Sequence, residues 1–208
     1  MFVEALPERV RHNLARLGAA GIVTPFYLAG GTAAAWHLGH RISVDLDFFG
    51  PASFDPTDLA GQLSELGLFR LERLAPDTLL GEWEGVRISV FRYRYPLIAA
   101  PSRVLGIAIA GLEDLAAMKL DAVSTRGTRR DFVDLYFIAE AGLSLADALQ
   151  CYQRKYAGLN VNVVHVVKSL AYFADAEIEP LPRMLKDVSW ETVKRFFEGE
   201  VRRLMETL

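Results

Sequence analysis

The stretch His40-Arg41-Ile42-Ser43-Val44-Asp45-Leu46-Asp47-Phe48-Phe49 decides how this chain reads. Its alternation predicts a strand over 42–49, with Ile42, Val44, Leu46 and Phe48 on an apolar face and Ser43, Asp45 and Asp47 on the other. Two carboxylates two residues apart on a strand sit roughly 7 Å apart at the backbone. Their side chains can converge on one hard cation, or on two metals about 4 Å apart. Cations held that way bridge phosphates and neutralise the charge that grows during phosphoryl or nucleotidyl transfer. A bare Asp-x-Asp also suits the solvated face of an edge strand, so the surroundings decide.

Upstream stands Ala29-Gly30-Gly31-Thr32, between a predicted strand at 26–28 and a predicted helix over 32–38. Glycines let the backbone approach a phosphate closely, and a helix N-terminus offers free amides and the positive end of its dipole. Thr32 can instead serve as an ordinary N-cap. A phosphate cradle and a carboxylate pair joined by one short helix make a connected device.

Further along, a helix predicted over 112–125 sets Leu112, Leu115, Ala116, Met118, Ala122 and Val123 on one side. Lys119 falls in the middle of that stripe, while Glu113, Asp114 and Asp121 point elsewhere. A lysine there needs an anionic partner, a route to solvent, or loss of its charge. On the next helix, predicted over 129–141, Arg130 and Asp134 are spaced to pair, and Asp134 is also the expected partner of Lys119. Thr128-x-x-Asp131 reads as a capping-box variant, which gives Asp131 a local role and leaves Asp134 the favoured functional carboxylate.

The remaining pattern supplies a frame. Helices are expected over 7–19, 57–66, 144–156, 162–174 and 189–207, and strands near 68–74, 78–83, 86–95 and 106–109, with Gly81 and Gly85 as punctuation. This is an α/β (α+β) pattern, divided into a sheet-bearing core over 1–111 and a helical part over 112–208. The 208 residues hold enough apolar side chains for a sizeable core. No apolar run approaches the roughly 20 residues of a membrane helix, so a cytoplasmic setting is expected. The lone Cys151 excludes an internal disulfide and reads as a packing residue. His37 and His40 lack a third metal ligand nearby, and structural roles are expected of them. The net charge of −3 says less than its distribution: Arg87, Arg92, Arg94 and Arg103, then Lys119, Arg126, Arg129 and Arg130, form clusters that would attract an anion if they converge. Phe91, Tyr93 and Tyr95 alternate with Arg92 and Arg94, a pattern shared by single-strand binders and half-buried strands.

These segments together resemble the AbiEii/AbiGii toxin family of nucleotidyltransferases, effectors of type IV toxin–antitoxin and abortive-infection systems. The resemblance rests on Leu28-Ala29-Gly30-Gly31-Thr32, on the 40–49 stretch, on Lys119-Leu120-Asp121-Ala122 with Arg126, and on Arg129-Arg130-Asp131-Phe132-Val133-Asp134-Leu135-Tyr136. Leu170-Ala171-Tyr172-Phe173-Ala174-Asp175-Ala176-Glu177, followed by Pro182, is similar too, so about residues 20–185 are covered. It implies a nucleotidyltransferase fold: a mixed sheet flanked by helices, with a helical C-terminal part. It implies Mg²⁺ on Asp45 and Asp47, the triphosphate of an NTP near Gly30, Gly31 and Thr32, and Ser43 adjoining the metal. Lys119, Arg130 and Asp134 are implied to contact nucleotide or complete the site. A tRNA or other RNA acceptor and a cognate antitoxin are the partners it suggests; a protein or small-molecule acceptor, or a binding module with little turnover, are the alternatives. One departure stands out. Ser89 occupies the place on the later strand where many nucleotidyltransferases carry a third carboxylate, leaving Asp134 as a stand-in.

Overall fold

The structure is a computed structural model, described for residues 2–207. A 3₁₀ turn at Val3–Ala5 precedes α1 (Glu8–Ala20), β1 (Tyr27–Leu28), α2 (Gly30–Leu38), β2 (Leu46–Gly50) and α3 (Pro56–Leu66). A meander follows: β3 (Phe69–Ala75), β4 (Thr78–Trp83) and β5 (Val86–Arg92), then the hairpin β6 (Ser102–Val104) and β7 (Ile107–Ile109). The rest is helical: α4 (Leu112–Thr125), α5 (Arg129–Glu140), α6 (Leu145–Lys155), α7 (Val163–Ser169), α8 (Ala174–Glu177) and α9 (Trp190–Thr207).

Among the described residues the seven strands join one mixed sheet in the order β3-β4-β5-β2-β1-β7-β6. β2 runs parallel to β5 and antiparallel to β1, so chain segments distant in sequence meet at its centre. The Glu84-Gly85 turn between β4 and β5 has both residues at positive φ (50° and 72°), the geometry that suits a tight hairpin. Gly81 lies inside β4 rather than at a turn, and a side chain there would run into the Phe69 ring.

The two faces of the sheet differ. Leu79, Trp83, Val86, Ile88 and Val90 are buried beneath α1 and α3, where Asn13 donates to the Trp83 carbonyl and the Trp83 indole donates to Leu63. The opposite face carries Asp47, Arg87, Ser89 and Phe91 toward α4. α4 is central to the helical part: it packs on α2, α5, α6 and α7, and its Leu115, Ala116, Leu120 and Val123 are buried. Lys155 at the end of α6 is buried too, its Nζ 2.6 Å from Asp114, whose carboxylate also accepts from the amides of Ile98 and Ala99. Asp114 thus does not point away from the apolar stripe as its place on the wheel suggests; a buried lysine holds it inside.

The strand expected over 42–49 is shorter, beginning at Leu46. Residues 42–45 form a lead-in anchored elsewhere: the Ile42 amide donates to Arg183, and that of Ser43 to Ala5. Val44 is consequently 52% exposed rather than part of an apolar face. The helix expected over 162–174 breaks into α7 and α8. The β6 strand was not evident in the sequence, and Cys151 is buried in α6 as a packing residue.

Candidate active site

Between the open face of the sheet and α4 lies a cavity of about 450 Å³. The short β1–α2 connection builds one wall. Gly30 adopts φ +65°, and a Cβ there would stand 2.8 Å from Asp47 Oδ2, so only glycine lets the backbone come this close to the acid. At Gly31 a Cβ would collide with the Arg41 guanidinium. The helix begins here at Gly30, two residues earlier than expected, and the first-turn amides of Gly30, Gly31 and Thr32 have no carbonyl partner within it. Thr32 neither caps the helix nor lines the cavity. It is buried inside α2, lies 2.9 Å from the Ser43 hydroxyl, and donates to the carbonyl of Asp45. Its work is to clamp the lead-in so that Asp45 faces the cavity.

Asp47 sits on β2 in register with Ser89 of β5, and both line the cavity. Burial pushes the Asp47 carboxyl up, and the neighbouring Asp45 adds to the effect, while Ser89, Lys119 and Arg126 oppose it. Ser43, Asp45 and Asp47 all line the cavity, although only Asp47 lies in regular strand. Among the described residues no group of three or more His, Cys, Asp or Glu side chains is placed to enclose a metal. Two carboxylates nonetheless fit Mg²⁺, which is commonly held by one or two carboxylates and completes its shell with water and substrate phosphate.

Facing the acids is a buried charge network. Lys119 Nζ lies 2.9 Å from Asp131 Oδ1 and 2.7 Å from Asp134 Oδ2. Arg41 grips Asp134 through Nε at 2.6 Å and Nη2 at 2.9 Å, and His40 Nε2 lies 2.7 Å from the same carboxylate. Burial alone would raise the Asp134 carboxyl; Arg41 and Lys119 outweigh it and hold the group well below the usual carboxylate range. Burial lowers the pKa of His40, whose Nδ1 has no partner, so it donates to Asp134 as a neutral ring.

The geometry corrects three expectations here. Asp131 is not a helix cap: it accepts from Lys119, from Arg126 Nε at 2.8 Å and from the Thr128 hydroxyl, and it lines the cavity. Asp134 is sealed behind Arg41 and Lys119, is absent from the cavity wall, and cannot replace a missing third carboxylate at the reacting atoms. Arg130 does not pair with Asp134 but points into the cavity. Of the other basic residues, Arg87, Lys119 and Arg126 converge on the cavity, whereas Arg92 is tied to Asp77 and Arg129 stacks on Trp190. Glu82 and Glu84 pair with Arg70 and Arg16 away from the site. Arg41 carried no site expectation; its signal was a single basic residue joining the acidic stretch to a helix with no exposed face.

A family model described as nucleotidyl transferase AbiEii toxin, type IV TA system, matches residues 13–105 and 89–206. The chain belongs to this AbiEii family. The Aquifex aeolicus (strain VF5) protein aq_aa25 is 37% identical over 208 residues, covering 97% of this chain and 98% of that one. JHP933 from Helicobacter pylori superposes with a TM-score of 0.53 at 19% identity, covering 97% of each chain, a likeness of fold. MenT4, a nucleotidyltransferase toxin from Mycobacterium tuberculosis H37Rv, overlaps with a TM-score of 0.49 at 15% identity over 91% of this chain and 81% of that one. AbiEii membership makes this chain a nucleotidyltransferase of the type IV toxin–antitoxin class, with an NTP as substrate and an antitoxin as partner. No helix among the described residues is long and apolar enough to cross a membrane.

Proposed function

We propose that this cavity transfers a nucleotide from a Mg²⁺-bound NTP to a hydroxyl of an RNA, tRNA being the leading acceptor, and that this transfer is the toxic act. The observation that carries the reading is the meeting of Asp45 and Asp47 with the Gly30-Gly31 helix start and five basic side chains in one cavity.

In this reading the free amides of α2 and its dipole receive the triphosphate, and Gly30 and Gly31 leave room for it to approach. Lys119 neutralises charge on the phosphates, held at the right height by Asp131 and Asp134. Arg126 and Arg130 add positive potential on the α5 side. Asp45 and Asp47 would hold the cation, whose chemistry is to bridge phosphate oxygens and offset transition-state charge. Ser89, in register with Asp47, stands where a third carboxylate would otherwise act, so the acceptor hydroxyl has no dedicated protein base in the third position. Asp134 acts through Arg41 and Lys119 and is a positioning residue. Support for a polymeric acceptor comes from a second cavity of about 400 Å³ that shares Thr125 and Arg126 with the first and carries Lys168, His165 and exposed Tyr172.

The test is incubation with α-labelled NTPs, Mg²⁺ and total RNA, followed by parallel digestion with RNase or protease. RNase-sensitive label, lost in Asp45→Ala, is expected. Label that survives RNase and follows protein or a small molecule redirects the acceptor, and equal labelling by Asp45→Ala removes the assignment.

A further inference from the structure

Asp121 brings to the cavity a carboxylate that, among the described residues, has no hydrogen-bond or ion-pair partner. Asp121 lies two residues past Lys119, about 200° round α4, and lines the cavity from the opposite flank. Among the described residues no side chain or amide donates to its carboxylate; Ser124 and Thr125 bond only to its backbone carbonyl. Burial pushes its carboxyl up, and Arg126 is the charge that opposes this. Phe49, Phe91 and Tyr93, with ring centroids 5.4 to 5.5 Å apart, line the same cavity as Asp121.

The cavity changes character along β2 and β5, where Asp47 pairs in register with Ser89 and, two residues on, Phe49 pairs with Phe91. Its lining joins glycine amides, paired acids and Lys119 to aromatic rings, Met118 and the Asp121 carboxylate. A nucleotide has the same division, with an anionic tail and a flat base edged by donors and acceptors. An ionised carboxylate is an acceptor only. It matches a base with an exocyclic amine, whether cytosine, adenine or guanine. Uracil instead presents carbonyl oxygens flanking a single N–H, so a carboxylate meets repulsion there.

We infer that Asp121 reads the nucleobase, accepting a hydrogen bond from its exocyclic amine and so selecting against UTP. This rests on the nucleotide occupying the cavity as proposed above. Discrimination at one such contact is expected to reach about tenfold or more.

The experiment measures binding of each of the four NTPs to the full chain with Mg²⁺, by calorimetry, and kcat/KM for label transfer, in wild type, Asp121→Asn and Asp121→Ala. Thermal melting checks that the variants fold. Wild type is expected to bind UTP at least about tenfold more weakly than its best amine-bearing NTP. Asp121→Asn, whose amide both donates and accepts, should shrink that gap to about threefold or less. Asp121→Ala should weaken the amine-bearing NTPs and leave UTP little changed. An unaltered ratio in Asp121→Asn overturns the inference, as does a uniform fall in kcat for all four NTPs, which would mark Asp121 as part of the chemistry instead. Failure of every NTP to bind wild type would bring down the nucleotide reading itself and this inference with it.

Discussion

At the scale of single residues, Asp134 holds the site together without touching what binds there. It is fully buried and compensates Arg41 and Lys119 while accepting from His40. Removing one partner from a buried ionic cluster costs about 3–5 kcal/mol. Asp134→Asn is accordingly expected to lower the urea unfolding free energy by that order at pH 7. Its folded pKa lies below the unfolded value, so its stabilisation is present above the unfolded carboxylate range and is lost as pH falls through the folded value. The gap between wild type and Asp134→Asn should thus narrow at strongly acid pH; a gap that widens would contradict the network. Gly30→Ala tests a different point. It strains a φ of +65° and pushes at Asp47, so transfer activity should fall at least about tenfold while stability drops by only about 1–2 kcal/mol. The pair Asp45 and Asp47, the two glycines and Lys119 were legible because each breaks a local rule: acids in a strand-like stretch, glycine before a helix, a lysine amid apolar neighbours. Arg41 and Asp131 were not, because their partners lie ninety or so residues away for one and look like a local cap for the other.

At the scale of elements, α4 determines the site, since one side of it lies in the core and the other carries Lys119, Asp121 and Thr125 to the cavity. Its position depends on α6. Lys155 reaches Asp114 at 2.6 Å and the Pro96 carbonyl at 3.0 Å, tying α4, α6 and the segment after β5 into one unit, and the Tyr93 and Tyr156 hydroxyls meet beside it. Lys155→Met leaves the buried Asp114 carboxylate without its counter-charge and with only the Ile98 and Ala99 amides as partners, and the expected loss of about 3–5 kcal/mol corresponds to a melting temperature roughly 10 °C lower. A melting temperature within about 2 °C of wild type would show that the pair does not carry the packing. The helices of the second half were readable from periodicity, with 112–125 matching α4 end to end. The acidic strand was over-extended because alternation alone cannot distinguish pairing with a strand from anchoring by other segments: residues 42–45 alternate, yet Ala5 and Arg183 take up the amides of Ser43 and Ile42. The sequence carries no stop signal between α7 and α8, because the break between them contains neither proline nor glycine.

At the scale of the molecule, the net charge of −3 conceals a focused field: Arg41, Arg87, Lys119, Arg126 and Arg130 gather about one cavity, while most acids are paired or on the surface. A mixed sheet was predictable from the run of strand signals, but its order was not, because β1 must pair with both β2 and β7 across long sequence gaps. Binding of Mg²⁺ together with an NTP should raise the melting temperature in wild type and not in Asp47→Ala, since a ligand stabilises only the state that holds it. Expression of the wild type is expected to arrest growth, and Asp47→Ala to relieve the arrest; unimpaired growth with active protein would separate the chemistry from toxicity. The most direct measurement is a crystal soaked with Mn²⁺ and a non-hydrolysable NTP, read by anomalous scattering. The account predicts an anomalous peak about 2.1 Å from carboxylate oxygens of both Asp45 and Asp47, with the triphosphate against the Gly30-Gly31 amides. A triphosphate bound elsewhere, with both carboxylates uncoordinated, would contradict it.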